Sequence, residues 1–118
     1  MEQISTSSEL EKKILDWFSR HYPDLKQQIQ SASIIKREYS GVGFFIYFNV
    51  DKNIKDFQNI SANSQRINGP SILSDEIPQG GDSVLFFKDG YMDMLEFFSY
   101  GDSFPKNIKA FTLKKPQV

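Results

Sequence analysis

Residues 84–98 read VLFFKDGYMDMLEFF, two runs of apolar and aromatic residues that flank Asp89-Gly90. An Asp-Gly pair supplies the positive φ angles that a two-residue type I′ turn requires. Runs of this composition on either side of such a turn predict a β-hairpin. Because this is the strongest hairpin pattern in the chain, we expect it to form the centre of an antiparallel sheet.

The two faces of the predicted hairpin follow from its register. A type I′ turn pairs Phe87 with Met92, and an uninterrupted ladder then pairs Leu85 with Met94. The first face carries Leu85, Phe87, Met92, Met94 and Phe98, with Glu96 among them. The second carries Val84, Phe86, Leu95 and Phe97, with Lys88, Tyr91 and Asp93 near the turn. Because both faces are apolar away from the turn, we expect the first to meet the N-terminal helix. The second should be covered by the polar middle segment, by a curled sheet or by another subunit.

Upstream of the hairpin, the sequence predicts one helix near the N-terminus. Ser8 followed by Glu11 fits a capping box, in which each side chain bonds a free backbone N–H of the first turn. A single helical stripe carries Leu10, Ile14, Trp17, Phe18 and His21. Pro23 ends this helix, because proline disfavours helical geometry at the residue before it. It also opens a short second helix through Leu25 and Ile29.

A second hairpin is predicted between the helices and the middle of the chain. Residues 33–39 and 42–50 flank Ser40-Gly41, a pair compatible with a turn. The sequence leaves the register of this hairpin open, and Gly43 is a candidate bulge. In its second strand one face carries Phe44, Ile46, Phe48 and Val50.

The remaining elements complete the predicted fold. Residues 66–77 contain an irregular strand, and residues 108–113 offer a last short one. We therefore expect one α+β domain over residues 1–118, with an N-terminal helix packed on a curved, mainly antiparallel sheet of about five or six strands. Residues 1–6 and 115–118 are expected to fray.

The composition excludes several classes of function. The 118 residues include 14 basic and 15 acidic side chains, a formal net charge of -1, whereas nucleic-acid binders usually carry a basic excess. There is no cysteine, which removes thiol nucleophiles, thiolate metal ligands and disulfides. The polar, acidic stretch 1–6 predicts no signal peptide, and no apolar run approaches the roughly 18 residues of a membrane span. We therefore expect a cytoplasmic protein that binds neither nucleic acid nor membrane.

The sequence also lacks a recognisable catalytic, metal or cofactor motif. His21 is the only histidine, and near the end of a helix a histidine commonly interacts with free carbonyl groups and the helix dipole. Gly41-Val42-Gly43 lacks the third glycine of a dinucleotide-binding loop and lies between strands, so we interpret it as a hairpin turn. We therefore predict no catalytic residue, no metal ligand and no cofactor.

Several acidic side chains and one tyrosine point to a surface that binds another protein. Inhibitors of basic enzymes often present carboxylates, because complementary charge speeds encounter and sets specificity. The candidate interaction surface consists of Asp82, Asp89, Tyr91, Asp93 and Asp102. A solvated acidic face and a pair of carboxylates in acid–base catalysis are the alternatives that this pattern leaves open.

Glu96 is the exception within the predicted hairpin, since it is a carboxylate on an otherwise apolar face. If it is buried, this carboxylate needs a cationic or hydrogen-bonding partner. The sequence offers Arg37, Arg66 or a lysine for that role. We favour a structural ion pair over catalysis.

Two blocks of the sequence resemble a family of short bacterial proteins of uncharacterised function. They are Arg37–Phe45 (REYSGVGFF) and Leu85–Glu96 (LFFKDGYMDMLE), followed by Tyr100-Gly101-Asp102 and Pro105. Phe97 stands where the family pattern has glycine, a departure that bears on packing at the end of the strand. The resemblance implies a shared fold and carries over no catalytic residue.

These observations leave two functional hypotheses. The first is a non-catalytic protein-interaction module, most concretely a toxin-neutralising immunity protein, by analogy with other small acidic α+β proteins. The second is a small-molecule-binding or carboxylate-dependent enzymatic domain with a pocket between the N-terminal helix and the sheet. We favour the first because the chain has so few residues of the catalytic types. Self-association is a further expectation, from the two apolar faces of the central hairpin.

Overall fold

The computed structural model describes residues 8–57 and 65–116, which form two helices and seven strands. Helix α1 (Ser8–His21) continues through a 3₁₀ turn (Pro23–Leu25) into helix α2 (Lys26–Ser31). The strands are β1 (Ser33–Tyr39), β2 (Gly43–Asn49), β3 (Arg66–Asn68), β4 (Ser71–Ser74), β5 (Ile77–Lys88), β6 (Tyr91–Ser99) and β7 (Thr112–Lys114). They form one sheet in the order β1-β2-β6-β5-β4-β7, with β3 also paired to β5, and all these pairings are antiparallel.

This architecture confirms the α+β class and the helix packed on an antiparallel sheet. The described residues form seven strands rather than five or six, because the stretch 66–77 divides at Gly69-Pro70 into β3 and β4. Proline has no N–H to give to a ladder, and the Pro70 carbonyl accepts the Ser83 hydroxyl at 2.7 Å. Of the ends expected to fray, residues 1–6 and 117–118 lie outside the described residues.

Helix α1 buries the predicted apolar stripe except at its last position. Leu10, Ile14 and Phe18 are fully buried. His21 is exposed, and its ring stacks on Trp17 with 4.0 Å between centroids. The stripe was wrong at His21 because the helix ends there, and Tyr22, the next residue, packs against the core instead. The predicted carbonyl contact is confirmed, since His21 Nδ1 lies 2.9 Å from the Trp17 carbonyl oxygen.

A bidentate ion pair ties α1 to the edge strand β1. Arg37 donates to the two carboxylate oxygens of Glu11 at 3.0 and 2.9 Å. The hydrogen bond to Glu11 raises the pKa of Arg37, and paired oxygens of this kind make one of the stronger polar contacts in proteins. Glu11 was expected to cap the helix, and the structure directs its carboxylate to Arg37. The Ser8 side chain, the other half of the capping box, lies outside the described residues.

Helix α2 is fixed to the sheet by a buried polar side chain. Gln28 is fully buried, its Nε2 donates to the Gly90 carbonyl at 3.0 Å, and its Oε1 accepts the Met92 N–H at 2.9 Å. Because Arg37 and Met92 point to the same side of the sheet, both helices lie on that side, which we call the core face. Within the described ranges, neither helix has the length and apolar character of a membrane span.

The central hairpin begins as predicted and then departs from the predicted register. Asp89 and Gly90 have φ angles of 55° and 86°, as a type I′ turn requires, and Phe87 faces Met92. A β-bulge at Asp93 then shifts the ladder by one residue, so that Phe86 faces Met94. The predicted pairing of Leu85 with Met94 was therefore wrong: Leu85 faces Leu95. The core face carries Leu85, Phe87, Met92, Leu95 and Phe97, all of them buried.

The β1–β2 hairpin resolves the register that the sequence left open. Gly43 lies in a regular stretch of β2, so the expectation of a bulge there was wrong, and the bulge falls instead at Ile35 of β1. Gly43 is needed for another reason: a Cβ at this position would lie 2.1 Å from the Phe97 carbonyl oxygen. The predicted grouping of Phe44, Ile46, Phe48 and Val50 on one face is confirmed, and the structure buries all four.

Candidate interaction surface

The face of the sheet opposite α1 is rich in apolar side chains that are only half-buried. We call it the outer face, and its central residues are Phe45, Tyr47, Val84, Phe86, Met94, Glu96 and Phe98. The cross-strand register places six of them in two rows, Tyr47–Met94–Phe86 and Phe45–Glu96–Val84, and Phe98 lies in the next row, between Gly43 and Asp82. Both helices lie on the core face, so neither covers these rows. The described part of the chain therefore leaves an aromatic and aliphatic surface on the sheet in partial contact with solvent.

Glu96 lies at the centre of the outer face. Its cross-strand neighbours are Phe45 and Val84, and its neighbours along the same side of β6 are Met94 and Phe98. No residue in 8–57 or 65–116 gives its carboxylate a hydrogen bond or an ion pair. Burial alone raises the pKa of Glu96. The carboxylate is thus partly desolvated without a charge or donor from the described residues to compensate it.

The cationic partners expected for Glu96 are engaged elsewhere or lie at the edge of the surface. Arg37 points to the core face and pairs with Glu11. Lys36 Nζ lies 3.3 Å from a carboxylate oxygen of Glu38. Arg66 sits on β3, opposite Phe86 and two strands from Glu96. The structural ion pair that we favoured for Glu96 is therefore not formed.

The edge of the outer face carries charges of both signs. Near β1, Tyr47 donates to Glu38 at 3.0 Å, and this hydrogen bond, together with Lys36, lowers the pKa of Glu38. The same hydrogen bond raises the pKa of Tyr47. Asp93, exposed at the bulge, acts on the same tyrosine through its charge. At the other end, the hydroxyl of Tyr100 donates to Asp82, which raises the pKa of Tyr100. Three cations and four carboxylates lie on the outer side of these strands: Lys36, Arg66 and Lys88, and Glu38, Asp82, Asp93 and Glu96.

The structure divides the five residues of the predicted interaction surface between two sites. Asp89, Tyr91 and Asp93 lie at the turn of the β5–β6 hairpin, whereas Asp82 and Asp102 lie near its opposite end, about 20 Å away along the strands. Asp102 accepts the Gln79 N–H at 3.0 Å, and the Tyr91 hydroxyl donates to the Ile54 carbonyl at 2.8 Å. Those two hold loops in place, while Asp82 and Asp93 border the outer face.

No family model, curated protein or solved structure matches the chain. Function must therefore be argued from the outer face and its surroundings.

The geometry gives less support to a metal site or to a pocket between α1 and the sheet. Among the described residues, no group of three or more histidine, cysteine or acidic side chains is arranged to hold a metal ion. The space between α1 and the sheet is filled by buried side chains, including those of Leu10, Ile14 and Phe18. A surface cavity of about 240 Å³ does border the outer face, between Arg66 and Tyr100.

The unpaired carboxylate of Glu96 is expected to make the stability of the protein depend on pH. Because burial raises the folded-state pKa of Glu96 above its ordinary value of 4.5, its contribution is most favourable at low pH. It is lost as the pH rises from about 4.5 through the folded-state pKa. Glu96→Gln should remove this loss, so the variant should gain stability relative to wild type at pH 7 and not at pH 4. Urea unfolding at several pH values measures the difference.

Asp93→Asn provides the control for that measurement, because it removes the same charge from an exposed position on the same strand. It should change stability little at either pH. A Glu96→Gln variant that is no more stable than wild type at pH 7 would contradict the prediction.

Proposed function

We propose that this protein is a non-catalytic interaction module that binds another protein through the outer face. A toxin-neutralising immunity protein in the bacterial cytoplasm is the most concrete form of the proposal. The observation that carries it is the cluster of half-buried apolar side chains around Glu96, a carboxylate that the described residues leave unpaired.

The composition of the outer face supports binding rather than simple exposure to water. An antiparallel sheet with one solvated face normally alternates apolar and polar residues. Here the rows away from the core contain Phe45, Tyr47, Phe86 and Phe98, with Met94 between them. Aromatic residues and methionine are enriched in the buried centres of protein interfaces. A surface of this kind, bordered by charges, is what a partner protein would cover.

The dimensions of the outer face also support a protein partner. Five strands, β1, β2, β6, β5 and β3, lie side by side across it. At about 4.8 Å between neighbours they span roughly 19 Å, and six residues along β5 span about 20 Å. These dimensions correspond to roughly 380 Å², about half of the roughly 800 Å² that one partner contributes to a standard interface, and the bordering residues would supply the remainder. The alternative of an enzymatic pocket would require space between α1 and the sheet, where the side chains of the core pack.

The test takes the product of the gene immediately upstream as the candidate toxin. Co-expression in a bacterial host should restore the growth that this product alone arrests. Phe86→Arg should abolish the rescue, because it puts a charge at the centre of the outer face. With the purified pair, calorimetry should show binding weakened roughly 30-fold or more, the effect of losing a hot-spot residue.

Val42→Arg is the matched control, since it makes the same kind of change at an exposed apolar residue of the β1–β2 turn, beyond the strands of the outer face. It should rescue growth as the wild type does. Thermal unfolding of both variants verifies that they are folded. Wild-type binding by a folded Phe86→Arg protein would show that the outer face is not the binding surface. An upstream metabolic enzyme that does not bind would count against immunity.

A further inference from the structure

We infer that the protein bound at the outer face presents an arginine side chain to Glu96. This inference rests on the proposed function and identifies the chemistry of the partner at one position. It follows from the surroundings of Glu96, from the charges already in use on the sheet and from the rings beside the carboxylate.

Binding of a partner would change the solvation of Glu96. This residue is half-buried in the free protein, so water still solvates part of its carboxylate. A partner that covers Phe45, Met94 and Phe98 removes that water as well. An ion buried without a partner is strongly unfavourable, so binding by an entirely apolar surface would be opposed at this point. A cation on the partner resolves the conflict.

The cationic side chains of the described residues form no ion pair with Glu96. Lys36 is paired with Glu38. From the strand spacing, the Cα atoms of Arg66 and Glu96 are about 12 Å apart, two strands and two residues. The Arg66 guanidinium makes no ion pair with Glu96 in the structure. The compensating charge must therefore come from the partner.

Among the cationic side chains that a partner could present, arginine fits the surroundings of Glu96 best. Both oxygens of Glu96 are free of described donors, so a planar guanidinium has room for a bidentate contact. Two rings adjoin Glu96, that of Phe45 across on β2 and that of Phe98 further along the same side of β6, and arginine stacks on aromatic faces more readily than lysine does.

The charge of Glu96 makes a second copy of this chain an unfavourable occupant. Because Glu96 lies at the centre of the outer face, two outer faces packed about a two-fold axis would bring the Glu96 carboxylates of both copies into one interface. Like charges brought together across an interface are unfavourable. A basic partner meets no such repulsion.

A small-molecule probe tests this inference without an identified partner. N-acetylarginine methylamide is titrated into the isotope-labelled protein and followed by NMR at the Met94 methyl group and the β6 amides. N-acetylcitrulline methylamide is the matched neutral probe, since it has nearly the same shape and no charge. We expect the arginine probe to shift these signals and to bind roughly fivefold more tightly than the citrulline probe.

Two variants assign the effect to Glu96. Glu96→Gln keeps the size of the side chain and should reduce binding of the arginine probe to the level of the citrulline probe. Glu9→Gln makes the same substitution at an exposed carboxylate of α1, on the other side of the sheet, and should retain the wild-type binding. Unchanged arginine binding in Glu96→Gln would overturn the inference, as would an equal loss in Glu9→Gln.

The remaining outcomes separate this inference from the proposed function. Equal binding of the two probes at the outer face would overturn the role of arginine and leave a surface able to bind protein. A dimer in light scattering that Arg66→Glu dissociates would replace the basic partner by a second copy, and would also overturn the inference. The proposed function itself fails only if a folded Phe86→Arg protein binds its partner as the wild type does.

Discussion

Replacing Gln28 by leucine is expected to lower the free energy of unfolding by about 2–4 kcal/mol. The side chain is fully buried, and its Oε1 accepts the Met92 N–H at 2.9 Å while its Nε2 donates to the Gly90 carbonyl at 3.0 Å. Leucine has a similar volume but no polar atom, so the buried Met92 N–H loses its acceptor. The Gly90 carbonyl retains the Phe57 N–H at 2.8 Å, which limits the damage.

The neighbouring glutamine supplies the control. Gln27 lies in the same helix with an exposed side chain, so Gln27→Leu should change stability by no more than about 0.5 kcal/mol. Urea unfolding measures both variants, and hydrogen exchange should show faster exchange at the Met92 amide in Gln28→Leu alone. Equal stability of the two variants would contradict the role assigned to Gln28.

The burial of Gln28 could not be predicted from the sequence pattern. Helix α2 reads KQQIQS, in which a glutamine would ordinarily face water. Its partners lie 62 and 64 positions further along the chain. Such a contact depends on how α2 docks against the sheet, which local periodicity does not specify. Only the short second helix itself was predictable, from Pro23 and the apolar residues Leu25 and Ile29.

Elements with local determinants were predictable for a physical reason. The turn at Asp89-Gly90 requires two residues at positive φ, and the structure shows both. Helix α1 requires an apolar residue every three or four positions, and Leu10, Ile14 and Phe18 satisfy this requirement. In each case the information lies within a few neighbouring residues. The side chains that these elements place against the core were therefore identified together with the elements.

A single extra residue made the predicted faces of β6 wrong. The extra residue at Asp93 reverses every side chain of β6 beyond it, because the side-chain period of a strand is two. Leu95 and Phe97 consequently point into the core, and Glu96 points to the outer face. That Glu96 is isolated among apolar residues could be seen in the sequence. The side of the sheet it occupies, and hence the candidate site, required the bulge.

Gly43→Ala is expected to destabilise the protein by about 3 kcal/mol. An added Cβ would lie 2.1 Å from the carbonyl oxygen of Phe97 and 2.7 Å from the Cα atom of Phe98. Both are backbone atoms of β6, so the clash is relieved only if β2 and β6 separate. Gly41→Ala in the same hairpin is the control, since its Cβ would have no atom within 4 Å. Its φ of 95° still makes alanine unfavourable, by about 1–2 kcal/mol.

Thermal unfolding should therefore rank Gly43→Ala below Gly41→Ala, and the reverse order would contradict the close approach of β2 to β6.

The Gly43→Ala substitution should also disturb the outer face. On the other side of β6, a Cβ at Gly81 would lie 2.2 Å from the Phe98 carbonyl oxygen, so the strand has little room to move away from β2. Any separation must then displace Phe98 relative to Phe45. Folded Gly43→Ala protein should bind the arginine probe more weakly than wild type, whereas Gly41→Ala should bind it normally.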